Sequence, residues 1–129
     1  MNRFSLIAAC VFGLTAVVLG AFGAHALKAQ LEPDSLKAFE TGVRYQMWHA
    51  LLLLLLSAIS EKLKIVKWTP WVITAGIVLF SGSIYLLSCQ SVLGLDNVSW
   101  LGPITPLGGL LIIIGWASLL VAAIRGAQP

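Results

Sequence analysis

The sequence predicts an all-α integral membrane protein, a four-helix bundle with both termini in the cytoplasm. Of its 129 residues, 59% are hydrophobic and 10% are charged, and the mean hydropathy is +0.96. Soluble domains contain about 25% charged residues, so this chain has too little polar surface to cover a soluble globule. Four apolar stretches are each long enough to cross a hydrocarbon core of about 30 Å as a helix. Lysine and arginine are concentrated at one end of the resulting bundle, which predicts its orientation.

The composition excludes several other classes of protein. The net charge of +3 results from 8 lysine and arginine residues against 5 aspartate and glutamate residues, too few cations for a nucleic-acid-binding surface. A disordered chain and a disulfide-stapled secreted module are excluded as well. Cys10 and Cys89 are expected at depths that differ by more than about 15 Å, too far apart for a disulfide. We therefore expect two free cysteines, both buried as small apolar residues.

The four apolar stretches follow one another with short connections, so they form one membrane domain. The first carries no charge after Arg3, and the second contains the unbroken leucine run 51–56. Ala24-His25-Ala26 fits a signal-peptidase site, but the apolar segment before it exceeds the usual length of about 7–15 residues, so we expect this helix to be retained. The predicted helices cover residues of about 4–26, 36–60, 70–91 and 106–125.

Residues typical of helix starts precede three of these segments. Thr69 and Thr105 each come directly before a proline. A threonine hydroxyl caps a helix well, and proline is favoured at the first helical position. Asp34, just after Pro33, is a candidate cap for an earlier start of the second helix. Trp116 lies near the middle of the fourth helix and is expected to pack against lipid or a neighbouring helix.

Lysine and arginine are divided unequally between the two membrane surfaces. With four spans, both termini and the connection between the second and third helices share one side, which carries Arg3, Lys62, Lys64, Lys67 and Arg125. The other side carries Lys28, Lys37, Arg44 where it reaches the surface, Glu32, Asp34, Glu40 and Asp96. The positive-inside rule therefore predicts that both termini are cytoplasmic.

Small residues recur at helix-packing spacing on two helices. On the first helix they are Ala16, Gly20 and Ala24, extended toward the cytoplasm by Ala9 and Gly13, and on the fourth they are Gly108, Gly115 and Ala122. In lipid, helices associate where small side chains let their backbones approach. These residues are predicted to form packing seams within one bundle, and a homo-oligomer interface is the alternative.

Polar residues are concentrated toward the outer leaflet. Thr41, Tyr45 and His49 are four residues apart and share one helix face, and Glu40 and Arg44 are spaced for an ion pair. One interpretation is structural, with polar groups bonding one another between helices. The other is a site for a ligand, an ion or a proton. The predicted cluster comprises His25, Glu40, Thr41, Arg44, Tyr45, His49, Ser83 and Tyr85.

The sequence predicts no catalytic residue, no cofactor site and no metal site. It contains no recognisable nucleophile–base pair, phosphate-binding glycine loop or paired carboxylates. Two histidines without a nearby cysteine or a third clear ligand do not make a zinc site. An enzyme is therefore not expected.

Four stretches of the chain together resemble a known family. They are residues 20–28 (GAFGAHALK), 39–51 (FETGVRYQMWHAL), 81–87 (SGSIYLL) and 101–109 (LGPITPLGG). Their ordered combination resembles the YgdD/YwdK family of small bacterial inner-membrane proteins, a domain of unknown function. The resemblance spans nearly the whole chain and implies a four-helix membrane protein, without any activity or cofactor. The matching motif residues include His25, Gly42, Arg44, Tyr45, His49, Ser81, Gly82, Tyr85, Thr105, Pro106 and Gly108.

Three functions remain open on the sequence. The favoured one is a non-enzymatic structural or assembly accessory that acts through helix–helix contacts. The alternative is a small oligomeric transporter or channel that uses the outer-leaflet cluster near Arg44, Tyr45 and His49. The weakest is an intramembrane enzyme with His49 as acid or base. The expected partners are membrane lipids and either further copies of the chain or another membrane protein, with no nucleic acid.

Reporter fusions test the predicted orientation. A reporter fused within residues 62–67 is expected to report a cytoplasmic location, because this connection carries three lysines. A fusion between residues 94 and 98 serves as the control and should report the opposite side. An extracytoplasmic signal from residues 62–67 would contradict the orientation.

Overall fold

The computed structural model describes residues 1–126, and their secondary structure is entirely helical. Four helices are long and apolar enough to cross a membrane. They are α1 (Arg3–Ala24), α2 (Pro33–Ile59), α3 (Thr69–Ser88) and α5 (Ile104–Gly126). A short helix α4 (Gln90–Leu93) and two 3₁₀ turns (Leu27–Ala29 and Ser99–Leu101) lie in the connections. The all-α class and the four membrane-capable helices are confirmed, and the position of the termini stays a prediction.

The predicted helix caps are wrong. Helices α3 and α5 include Thr69 and Thr105, whose hydroxyls bond across the α3–α5 contact instead. The Thr69 hydroxyl oxygen lies 2.8 Å from that of Ser118, and the Thr105 hydroxyl oxygen lies 2.6 Å from that of Ser83. Asp34 lies in the first turn of α2, where no side chain caps the helix. In an apolar environment, bonds between helices satisfy these threonine hydroxyls.

The four long helices form an open array, in which the first and the last of them are not in backbone contact within the described residues. Helices α2 and α3 pack against each other at the centre. Helix α1 packs mainly on α2, and α5 packs mainly on α3, while the backbones of α1 and α5 do not approach each other within the described residues. Toward the end that carries the 60–68 connection, a shared core includes Leu53, Leu56, Ile73 and Ile77.

Glycines bring α3 and α5 together. A Cβ atom at Gly76 would lie 2.7 Å from Cγ1 of Ile112 and 3.0 Å from the carbonyl oxygen of Gly108. A Cβ atom at Gly108 would collide with the backbone of Phe80. A Cβ atom at Gly115 would likewise lie too close to the side chain of Ile73. The predicted small residues of α5 therefore lie at a contact where the backbones approach too closely for larger side chains.

The predicted ladder on α1 is only partly at a helix contact. Ala16 is buried, and a Cβ atom at Gly20 would lie 3.5 Å from Cγ1 of Val43 on α2. Ala24 is exposed, and a Cβ atom at Gly13 would have open space around it, so these two residues do not pack between helices as predicted. The small residues of α1 that are buried are Ser5, Ala8, Ala9, Ala16 and Gly23. Ala9, Ala16 and Gly23 are seven residues apart, which is the spacing of residues along one face of a packed helix.

Both cysteines are free, as expected, but their burial differs. Cys89 is buried beside Phe39, whereas Cys10 lies on the exposed face of α1. The expectation that Cys10 is buried is therefore wrong, because α1 contacts the other helices along one side only.

Adjacent glycines provide a test of the α3–α5 contact. Gly108→Ala should destabilise the protein by about 1–3 kcal/mol, because the new methyl group collides with backbone rather than with a movable side chain. Gly109→Ala is the control, since its Cβ atom would lie 3.7 Å from the Phe80 ring, an ordinary contact. Thermal unfolding of the detergent-solubilised variants measures the difference. Equal stability of the two variants would contradict the proposed role of Gly108.

Candidate functional site

Gln46 of α2 is the centre of a hydrogen-bond network that joins three helices. Its Nε2 atom donates to the carbonyl oxygen of Phe12 at 2.9 Å and to the hydroxyl of Thr15 at 2.7 Å, both on α1. Its Oε1 atom accepts from the hydroxyl of Tyr85 on α3 at 2.6 Å. Because a carbonyl can only accept, the atom that faces Phe12 must be the amide nitrogen. The Gln46 side chain is 4% exposed, and both amide protons and its oxygen are engaged.

A glycine on α2, Gly42, leaves the space that this network needs. Gly42 lies one turn before Gln46, and a Cβ atom there would lie 2.9 Å from Cε1 of Tyr85. The missing side chain therefore lets the Tyr85 ring reach Gln46. The Ser81 hydroxyl also donates to the carbonyl oxygen of Gly42 at 2.7 Å. These contacts fix the register between α2 and α3.

His49 is fully bonded one turn further along α2. The indole Nε1–H of Trp116 on α5 donates to Nε2 of His49 at 3.0 Å. An indole nitrogen can only donate, so Nε2 accepts and the ring proton lies on Nδ1. That proton is donated to the carbonyl oxygen of Tyr45 at 2.7 Å. His49 is therefore a neutral imidazole whose two nitrogens are both occupied.

The eight residues of the predicted polar cluster do not form a single site. Tyr85 belongs to the Gln46 network, and His49 pairs with Trp116. Ser83 bonds Thr105 on α5, which makes a third and separate contact. The structure divides the cluster because its members point from α2 and α3 toward different neighbouring helices.

Three further members of the predicted cluster are oriented away from the interior. The hydroxyl of Thr41 donates within α2, to the carbonyl oxygen of Lys37 at 3.1 Å. Tyr45 is partly exposed, and its ring packs against Phe80 with centroids 4.8 Å apart. His25 is exposed beyond the end of α1. Within the described residues, His25 and Thr41 therefore make no hydrogen bond to the other members, and a shared role for the eight residues stays a prediction.

The ion pair predicted between Glu40 and Arg44 is present. Nη2 of Arg44 lies 3.6 Å from Oε2 of Glu40, and both side chains are about half exposed. The pair lines an open cleft of about 290 Å³ between α1 and α2, opposite Gly20 and Ala24. Exposed pairs of this kind contribute little to stability.

The role of Gln46 in the interior is not predicted from the sequence. Gln46 lies within the polar segment 39–51, and its partner Thr15 and the His49 partner Trp116 lie on other helices. An amide in the middle of an apolar helix is itself a signal, because it needs hydrogen-bond partners on other helices. Within residues 1–126, no three His, Cys, Asp or Glu side chains come close enough together to hold a metal ion.

Two tyrosines provide a test of the network. Tyr85→Phe should destabilise the protein by about 0.6–1.7 kcal/mol, the range for one hydrogen bond between membrane helices. Tyr45→Phe removes the same hydroxyl from a partly exposed ring that has no hydrogen-bond partner within the described residues, so its effect should be smaller. Unfolding in mixed detergent micelles measures both. A Tyr45→Phe loss as large as that of Tyr85→Phe would contradict the assignment.

Comparison with known proteins identifies the family of the chain. A family model described as a protein of unknown function (DUF423) matches residues 19–109. The chain is 43% identical to the UPF0382 membrane protein YwdK of Bacillus subtilis (strain 168), over 93% of this chain and 95% of the relative. It is 42% identical to the UPF0382 membrane protein SAB0533 of Staphylococcus aureus (strain bovine RF122 / ET3-1), over 97% and 98%. No solved structure matches. The predicted resemblance is confirmed, and the chain belongs to the DUF423 family of membrane proteins, whose function is unknown.

Proposed function

We propose that this protein is a non-enzymatic assembly accessory that binds other transmembrane helices along α1. The observation that carries the proposal is the open array, in which α1 packs on α2 along one side and is not covered by α5. The uncovered side, here called the α1 flank, presents Ile7, Val11, Leu14, Val17 and Val18. Membrane helices associate through packing of such faces.

The edge of the α1 flank allows another helix to approach closely. Gly13 has open space where a Cβ atom would be, and Cys10, one turn before it, is exposed. Small residues at a helix surface let two backbones come together, which increases the van der Waals contact between them. A second copy of the chain or another membrane protein meets this requirement.

The bonding of the interior polar groups supports a structural role over transport. Gln46 and His49 use their polar atoms to hold α1, α3 and α5 against α2. An ion path through these residues would have to break those bonds in a medium that supplies no replacement. Both nitrogens of His49 are also occupied, which argues against a role as acid or base.

Photocrosslinking along α1 tests the proposal. A photoreactive residue at Leu14, which is 68% exposed on the α1 flank, should give a discrete adduct with a second copy or another membrane protein. The control position is Val78 on α3, which is 54% exposed and should give lipid adducts. A strictly monomeric protein in mild detergent, together with no protein adduct from Leu14, would contradict the proposal.

Cysteine accessibility distinguishes the proposal from transport. Single cysteines at positions 39–51, in a chain without Cys10 and Cys89, should be protected from water-soluble reagents wherever they face the helix contacts. A water-reachable stripe through Thr41, Tyr45 and His49 would instead favour a transporter or channel.

A further inference from the structure

A basic cavity lies where the 60–68 connection meets the end of α5. Its volume is about 360 Å³, and it is lined by the cations Lys62, Lys64 and Arg125. It is also lined by apolar residues, among them Val66 and Val121. Cations beside apolar residues at the end of membrane helices match the two parts of a phospholipid, its headgroup and the start of its acyl chains.

The positive charge of this cavity is not balanced by a nearby carboxylate of the described residues. Oε1 of Glu61 lies 2.9 Å from the Met1 ammonium, which lowers the pKa of the Glu61 carboxyl and keeps it ionised in that pair. Glu61 lines a neighbouring cavity, which shares Lys64 with this one, and Glu61 does not line this cavity. The other acidic residues (Glu32, Asp34, Glu40 and Asp96) belong to the opposite ends of the helices. Three cations therefore face one cavity without an anion among residues 1–126.

The hydrogen-bond donors of the cavity come from these cations. Ser118 also lines it, but its hydroxyl proton is donated to the carbonyl oxygen of Gly115 at 2.7 Å. Lysine ammonium and arginine guanidinium groups are the side chains that bind phosphate oxygens. The site therefore suits a group that only accepts hydrogen bonds and carries negative charge.

We propose that this cavity binds the phosphodiester of an anionic phospholipid. A zwitterionic phospholipid would bring its own ammonium group beside three cations, so the anionic headgroup should be preferred. The apolar lining distinguishes a lipid from a free phosphate ester, because only the lipid gains from contact with Val66 and Val121.

Native mass spectrometry of the full-length, delipidated protein in detergent tests this site. The probes are phosphatidylglycerol, phosphatidylcholine and soluble glycerol 3-phosphate. We expect one phosphatidylglycerol molecule to bind more tightly than phosphatidylcholine. Lys62→Gln/Arg125→Gln should weaken phosphatidylglycerol binding about 30-fold, which is about 2 kcal/mol, or about 1 kcal/mol for each cation near the membrane surface.

The matched control is Arg3→Gln/Lys67→Gln, which removes the same charge from the same membrane surface but outside this cavity. It should change the affinity less than about threefold. Equal losses in the two double variants, or equal binding of phosphatidylcholine, would overturn the proposal. Glycerol 3-phosphate that binds as tightly as the lipid would overturn the lipid assignment in favour of a free phosphate ester. Should the first variant misfold, Lys62→Arg/Arg125→Lys keeps both charges and must retain wild-type affinity.

Discussion

The hydrogen bonds of Gln46 are the interaction on which the helix arrangement depends. In hydrocarbon, a side-chain amide has no water to bond, so an unbonded amide costs several kcal/mol of folding free energy. Gln46 avoids this cost only if Phe12 and Thr15 of α1 and Tyr85 of α3 all reach it together. One residue thereby fixes the relative rotation of three helices. Van der Waals packing of leucine faces alone would permit many rotations of similar energy, because lipid contacts those faces equally well.

The sequence predicts the features that depend on composition and spacing within one helix. It does not predict those that depend on which helices are in contact. The apolar segments and the Glu40–Arg44 pair depend on local composition and spacing, so they could be anticipated. The open array and the bond between His49 and Trp116 depend on which helices meet, which spacing along one helix does not specify. Thr69 shows the difference most clearly, because a capping hydroxyl and an interhelical donor look the same in sequence.

Two polar groups of the interior lie outside the hydrogen-bond network. The buried hydroxyls of Ser5 and Thr74 have no hydrogen-bond partner within the described residues. A hydroxyl leaves one donor hydrogen unpaired when it is buried, whereas a primary amide such as that of Gln46 would leave two. Gln46 and His49 differ from these hydroxyls, because their polar atoms all have hydrogen-bond partners. The hydrogen bonds of the interior are therefore concentrated between α2 and the other long helices.

The four long helices pack as two pairs, and this pairing bears on the order in which the protein folds. The most extensive contacts join neighbours in sequence, α1 with α2 and α3 with α5. Each pair is a helical hairpin whose two helices lie next to each other in sequence among the long helices, so we expect each to pack early, before the two pairs meet. The polar bonds from Tyr85 and Trp116 to α2 join one hairpin to the other. The molecule is thus built from two helical hairpins, and polar side chains cross the boundary between them.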